Sequence, residues 1–145
     1  MTTDNLHTRN QIKYPISNIL LLALTTDLVL RGLATYYRAD QFAGRPLYCH
    51  YQDPRLVYDE SLPDWIAVDV SLYTSGQVQC GDLFRLTFED GRILHAFAWD
   101  AGDFSGYPVV VDLPEHLRPP QGVAPVTAVN LTALLLRGET TCWNN

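Results

Sequence analysis

Basic charge is what this chain has least of. Lys13 is its one lysine, and 10 lysines and arginines together face 16 aspartates and glutamates, for a net charge of −6. That set cannot build the basic stripe that phosphate-backbone binding requires, so nucleic acid is excluded as an expected partner. Cysteine is scarce as well. Cys49, Cys80 and Cys142 are too few for a disulfide-built scaffold, and the absence of any C-x-x-C spacing removes both a zinc knuckle and a thioredoxin-like pair. One bridge with an odd thiol and three free thiols stay equally open. No metal or cofactor is expected. Long apolar runs are missing too. Residues 19–24 are apolar but Thr25, Thr26 and Asp27 interrupt them, far short of the roughly 20 residues that a membrane span needs. With only Arg9 and Lys13 ahead of it, the same run makes a poor secretory signal.

Helical periodicity is the last absence. No stretch of ten residues keeps a period of 3.6 without proline or β-branched interruption, except around Pro114 to Leu117. What remains reads as strands in one domain, for which 145 residues and 47% hydrophobic content suffice. Residues 1–18 are a polar arm that Tyr14-Pro15-Ile16 ends by forcing an extended backbone. The arm either lies on a neighbouring subunit, giving a homo-oligomer, or frays. Residues 19–138 form the barrel domain argued below, and 139–145 a tail.

Within the domain, residues 28–37 alternate and carry Gly32, and an interior glycine in a strand marks a bulge or tight bend. Residues 38–63 are long, aromatic and irregular. Their rings, with Tyr36 and Tyr37 just before them, suit either a sugar-binding surface or a cover over one end of the core. Residues 65–72 read as a strand that carries Asp69 in an apolar setting, where a carboxylate must be paired, hydrogen-bonded or partly neutral. Leu83, Arg85 and Thr87 alternate with Phe84, Leu86 and Phe88, and Glu89-Asp90-Gly91-Arg92 is a tight hairpin signal. The chain is organised around the stretch that follows. Ile93, His95, Phe97 and Trp99 fall on one parity and Leu94, Ala96 and Ala98 on the other, in a strand expected to end at Asp100. After Asp100-Ala-Gly-Asp-Phe-Ser-Gly comes a second β-branched run that ends in Asp112. Two strands thus bring Asp100 and Asp112 to the edges of one loop, with Asp100 as a turn cap for the simpler reading. Residues 123–136 close the sheet. Short strands with Gly/Pro turns in a chain of this size point to a mostly β, small closed barrel.

The order of these segments carries a resemblance. Gly32-Leu-Ala-Thr-Tyr-Tyr resembles the G-x-A-S-x-Y opening of rare lipoprotein A domains. Ile66-Ala-Val-Asp-Val-Ser is similar to the I-A-V-D-P-S segment of the three-aspartate domain, shared with the C-terminal part of membrane-bound lytic transglycosylase A. Ala98-Trp-Asp-Ala-Gly, Val110-Val-Val-Asp-Leu and Gly122-Val-Ala-Pro-Val stand where those families have A-x-D-T-G, I-D-L and G-V-A-x-V. The likeness runs from Leu28 to Val129. It departs where those families have Asp-Thr-Gly-Gly or Asp-Arg-Gly-Pro and this chain has Asp100-Ala-Gly-Asp103.

The resemblance implies a six-stranded double-psi β-barrel, as in expansins and barwin-like proteins, and a peptidoglycan-cleaving activity of the lytic transglycosylase type. Asp100 would be the general acid, with Asp69 and Asp112 raising its pKa or hydrogen-bonding to it. Tyr36, Tyr37, Tyr48, Tyr51, Trp99 and Asp103 would bind the glycan. Burial by Phe97 and Trp99 and the like charge of Asp103 are expected to push the Asp100 pKa upward. A lytic cleavage needs no water nucleophile, because the sugar's own hydroxyl closes on the anomeric carbon, so the two-carboxylate spacing of hydrolases is not required. Two alternatives stand beside the enzyme: a non-catalytic carbohydrate-binding module, and a structural or assembly protein of a virion or surface layer. All three suit a cell-envelope, extracellular or virion setting. The resemblance also implies, as in barwin-like proteins that staple such loops, that Cys49 and Cys80 lie within bridging reach, with Cα atoms within about 7 Å. Cys142 would keep the odd thiol.

Overall fold

Residues 28–41, 45–57 and 64–132 are described in a computed structural model of the chain. The expected arm, the tail with Cys142, and Phe42 and Tyr58 of the aromatic loop lie outside them. Six strands form one closed barrel. They are β1 (Val29–Tyr37), β2 (Trp65–Asp69), β3 (Leu83–Phe88), β4 (Ile93–Gly102), β5 (Val109–Pro114) and β6 (Ala124–Asn130), and around the barrel they run β1-β5-β2-β4-β3-β6. Two pairs, β1 with β5 and β2 with β4, are parallel, and the other four are antiparallel. This is a mostly β, closed six-stranded barrel with few helices, consistent with a small double-psi barrel. Two five-residue helices, α1 (Tyr48–Gln52) and α2 (Val70–Thr74), and 3-10 turns at Ala39–Gln41 and Glu115–Leu117 fill the connections.

Alternation in the sequence becomes an inside and an outside. In β3, Phe84, Leu86 and Phe88 are buried while Leu83, Arg85 and Thr87 are half-buried or exposed. Small and large residues share the interior: Ala34, Ala96, Ala98 and Ala128 are buried beside Ile66, Val68, Phe84, Leu86, Val111 and Leu113. The alanines make room for the larger side chains opposite, and each of the latter stabilises the barrel by about 1.5–3 kcal/mol on burial. The β3–β4 hairpin closes as its sequence indicates. Gly91 at φ +87 donates its N–H to the Phe88 carbonyl, and the Phe88 N–H goes to the Arg92 carbonyl.

Gly32 answers to close packing. A Cβ there would stand 2.5 Å from the Pro108 carbonyl oxygen and 2.8 Å from Val110 Cγ1. That carbonyl is held by the Leu33 N–H at 2.9 Å and cannot swing aside. Gly32→Ala is therefore expected to cost about 1–3 kcal/mol, the usual range for overpacking, read as a lowered urea midpoint at unchanged slope. The bulge that Gly32 suggested lies one residue on: Leu33 pairs with Val109 and Ala34 with Val111, so Val110 is the extra residue on β5.

Three expected boundaries shift. The closing strand read over 123–136 ends at Asn130, and residues 131–132 are helical. The strand read as 65–72 ends at Asp69, and the next five residues are helical because Asp69 caps them. The strand expected to end at Asp100 runs on to Gly102, because Val68 and Asp69 of β2 pair with Ala101 and Gly102.

Candidate active site

The second bulge builds the site. Ile66 pairs with Ala98, but Ala67 pairs with Asp100, so Trp99 is the extra residue and the parity of β4 is reset there. Ile66 and Ala98 point into the core. Asp100 falls in register with Ala67, which alternates to the outer face of the sheet. Ala67 also pairs with Asp112 on its other side, and Asp112 pairs with Thr35. The two bulges thus align Thr35, Asp112, Ala67 and Asp100 as one row across β1, β5, β2 and β4. The row places the two acids two strand spacings apart, about 10 Å between backbones, with only the methyl of Ala67 between them.

Asp100 is buried, with 7% of its surface exposed. Its Oδ1 accepts the Tyr48 N–H at 2.8 Å. The Tyr73 hydroxyl donates to the Asp100 backbone carbonyl at 3.1 Å, and the Tyr48 and Tyr73 rings meet at 4.9 Å. Burial pushes the Asp100 carboxyl above the ordinary carboxylate range, against the partial opposition of the Tyr48 and Ala101 N–H groups. Asp112 is also raised, first by burial and further by the charge of Asp100, while the Thr35 hydroxyl, donating to Oδ1 at 2.8 Å, works the other way. Burial and like charge raise Tyr73 strongly, so its hydroxyl stays a donor.

α1 sits over this row because Cys49, at its second position, is bridged to Cys80, with Cα atoms 5.7 Å apart. This is the pairing that the resemblance implied. Cys49 is fully buried, and its sulfur lies 3.9 Å from the Ala98 carbonyl oxygen and 4.0 Å from the Tyr73 hydroxyl.

Asp69 does a different job. At the end of β2 it accepts the Ser71 N–H at 2.9 Å and the Ser71 hydroxyl, and its Oδ2 takes the Phe104 N–H at 2.8 Å. These bonds, the Ser71 hydroxyl foremost, hold its carboxyl below the ordinary range. Asp69 caps α2 and ties down the loop after β4, and none of its hydrogen bonds reaches Asp100. Asp69→Ala is expected to cost about 1–2 kcal/mol, as helix N-cap losses do, measured by chemical unfolding. An unchanged unfolding midpoint would contradict a structural role.

Several expectations are corrected here. Asp100 is no turn cap, because it lies inside β4 with a long-range partner. Asp103 does not drive the Asp100 shift: it is exposed, bonds the Ser105 N–H and hydroxyl, and is itself lowered by them. Burial, the other cause expected, is the one that raises the Asp100 pKa. Tyr37 and Trp99 offer little ring surface to a ligand. Tyr37 is buried and stacks on Trp65 at 5.0 Å, and Trp99 fills the bulge against Gly81, whose Cβ would stand 3.4 Å from its ring. Tyr36 is half-buried, with the Arg118 guanidinium 4.7 Å over its ring. Tyr48 covers Asp100, and Tyr51 is 74% exposed. Thr35, Ala67 and Tyr73 escaped the sequence reading. Thr35 lies in the Gly32-Leu-Ala-Thr segment already singled out, but Tyr73 gives no local signal.

Among the described residues no group of His, Cys, Asp and Glu is placed to hold a metal ion, and no helix is long and apolar enough to cross a membrane. The molecule is a closed six-stranded β-barrel that carries a buried acid, Asp100, and a half-buried one, Asp112, in one row of its outer face, with Asp100 under a disulfide-tethered turn of helix. No family model matches the chain, and no curated protein does. Among solved structures it is similar to a point mutant of a Clavibacter michiganensis expansin in complex with cellohexaose, at 22% identity and a TM-score of 0.45. The overlap covers 70% of this chain and 49% of that one, so the chain spans about half the expansin's length.

Proposed function

We propose that the barrel acts on a polysaccharide, with peptidoglycan the first candidate, and that Asp100 is the acid of a lytic transglycosylase-type cleavage. The observation that carries this reading is the row Asp112, Ala67, Asp100, in which two raised carboxyls share one small patch of the outer face. A carboxyl raised by burial keeps its proton closer to neutral pH, where a glycosidic oxygen must be protonated as it leaves. Tyr48 N–H occupies Oδ1, so the proton is carried on Oδ2. The substrate's own primary hydroxyl then closes on the anomeric carbon and returns a proton to the Asp100 carboxylate. No water is consumed and no proton is lost.

Carbohydrate binding without cleavage is the second reading, favoured by the low exposure of Asp100 and by the open ring of Tyr51, three residues along α1 from Tyr48. Incubation with purified insoluble peptidoglycan and with cellulose separates the two. Cleavage releases soluble fragments with anhydro-sugar ends between pH 4 and 8. Sedimentation of the protein with the glycan and no fragments, at high enzyme concentration, removes the enzyme and keeps the module. Neither release nor sedimentation removes both.

A further inference from the structure

A cavity lies at the other end of β4 from Asp100. It measures about 260 Å³ and opens where the β3–β4 hairpin meets the segment after β5. Seven residues of strand, about 20 Å, separate its edge at Ile93 from Asp100. Phe88, Leu94 and Leu117 give it an apolar lining, and Arg92, His116 and Arg118 supply all its polar side chains. In a chain of net charge −6 no aspartate or glutamate lines it.

These polar side chains are set in place rather than left to wave. The Arg92 guanidinium lies 4.6 Å from the Phe88 ring centroid, and Asp90 takes its Nε at 2.7 Å. Arg118 lies over Tyr36. His116 Nε2 stands 2.6 Å from the Asp64 carboxylate. An arginine whose plane rests on a ring has lost much of its freedom already, so presenting its N–H edge to a planar anion costs little further order. Asp90 and Asp64 hold Arg92 and His116 without lining the cavity themselves.

We propose that this cavity binds a monocarboxylate with an apolar body, its carboxylate on Arg92 and Arg118 and its body on Phe88, Leu94 and Leu117. A compact inorganic anion would leave the lining wet. A neutral apolar molecule would take water from two guanidiniums and give nothing back. The site is independent of any role for Asp100.

Phenylacetate titrated into the full-length ¹⁵N-labelled protein tests it, with phenylacetamide and inorganic sulfate as comparisons. Saturable amide shifts are expected at the cavity residues and not at Asp100, and both comparisons should bind at least about tenfold more weakly, as loss of a charge-assisted hydrogen bond or of the apolar contact implies. Arg118→Gln and Arg92→Gln should each weaken phenylacetate by about tenfold or more, with the rest of the spectrum unchanged. Two variants are used because either arginine also packs on a ring. Equal binding of the amide, equal or tighter binding of sulfate, indifference to both substitutions, or no saturable shift overturns the proposal.

Discussion

Reduction of the Cys49–Cys80 bridge is expected to lower the unfolding free energy by about 3–4 kcal/mol. The two cysteines are 31 residues apart, and releasing a loop of that length returns this much chain entropy to the unfolded state. The effect should not stop at stability. α1 has five residues and cannot hold itself in water, so without the bridge its cover over β4 and the Tyr48 N–H on Asp100 are both lost. Burial is the larger influence on Asp100, and exposing it should therefore let its pKa fall toward the ordinary carboxylate value. Urea unfolding with and without reductant measures the first effect. The Cys49→Ser/Cys80→Ser double variant, which should not respond to reductant, is the control. A wild-type change below about 1 kcal/mol would mean that the loop is held by packing alone.

Asp100→Asn should do two opposite things. Under the proposed function, the amide cannot donate a proton to a leaving oxygen, so the cleavage proposed there should fall by about a hundredfold or more, the usual scale for a general acid. Stability near pH 7 should rise. A carboxyl whose folded pKa is raised costs stability when ionised, and Asn removes the charge while its carbonyl oxygen can still accept the Tyr48 N–H. The gain over wild type should shrink as pH falls through the raised pKa and vanish only below the ordinary carboxylate value, where the wild-type group is protonated in both states. Urea midpoints of the two proteins across pH 4 to 8 read this directly. A variant less stable than wild type by about 1 kcal/mol at every pH would describe a simple lost hydrogen bond. Unchanged cleavage would remove Asp100 from the chemistry.

How much of this was written locally in the chain differs from one element to the next. The parity of Phe84, Leu86 and Phe88 and the Asp90-Gly91 turn announced β3 and its hairpin, because those signals act between near neighbours. The three aspartates stand out in the sequence as candidates. Their division of labour does not. Asp69 two residues before Ser71 is a helix-cap pattern, yet the apolar alternation of Val68, Val70 and Leu72 outweighed it on reading, and the strand was carried past its end. Asp100-Ala-Gly resembles a turn. It stays extended because β2, some thirty residues earlier, pairs with it, and parallel pairing leaves no local trace. The bulge at Trp99 matters most, since by strict alternation Asp100 would follow Ala96 and Ala98 into the core. Only the register against Ile66 and Ala67 shows that it turns outward to face Asp112.

Carboxyl-carbon NMR of the aspartates in the oxidised, folded protein, followed from pH 3 to 8, tests the acid pair most directly. Asp100 and Asp112 should both titrate above the ordinary value of about 3.9, and the Asp112 midpoint should fall in Asp100→Asn because the neighbouring charge is gone. Midpoints for both at or below about 3.9, or an Asp112 midpoint indifferent to Asp100→Asn, would contradict the account and leave the row as framework.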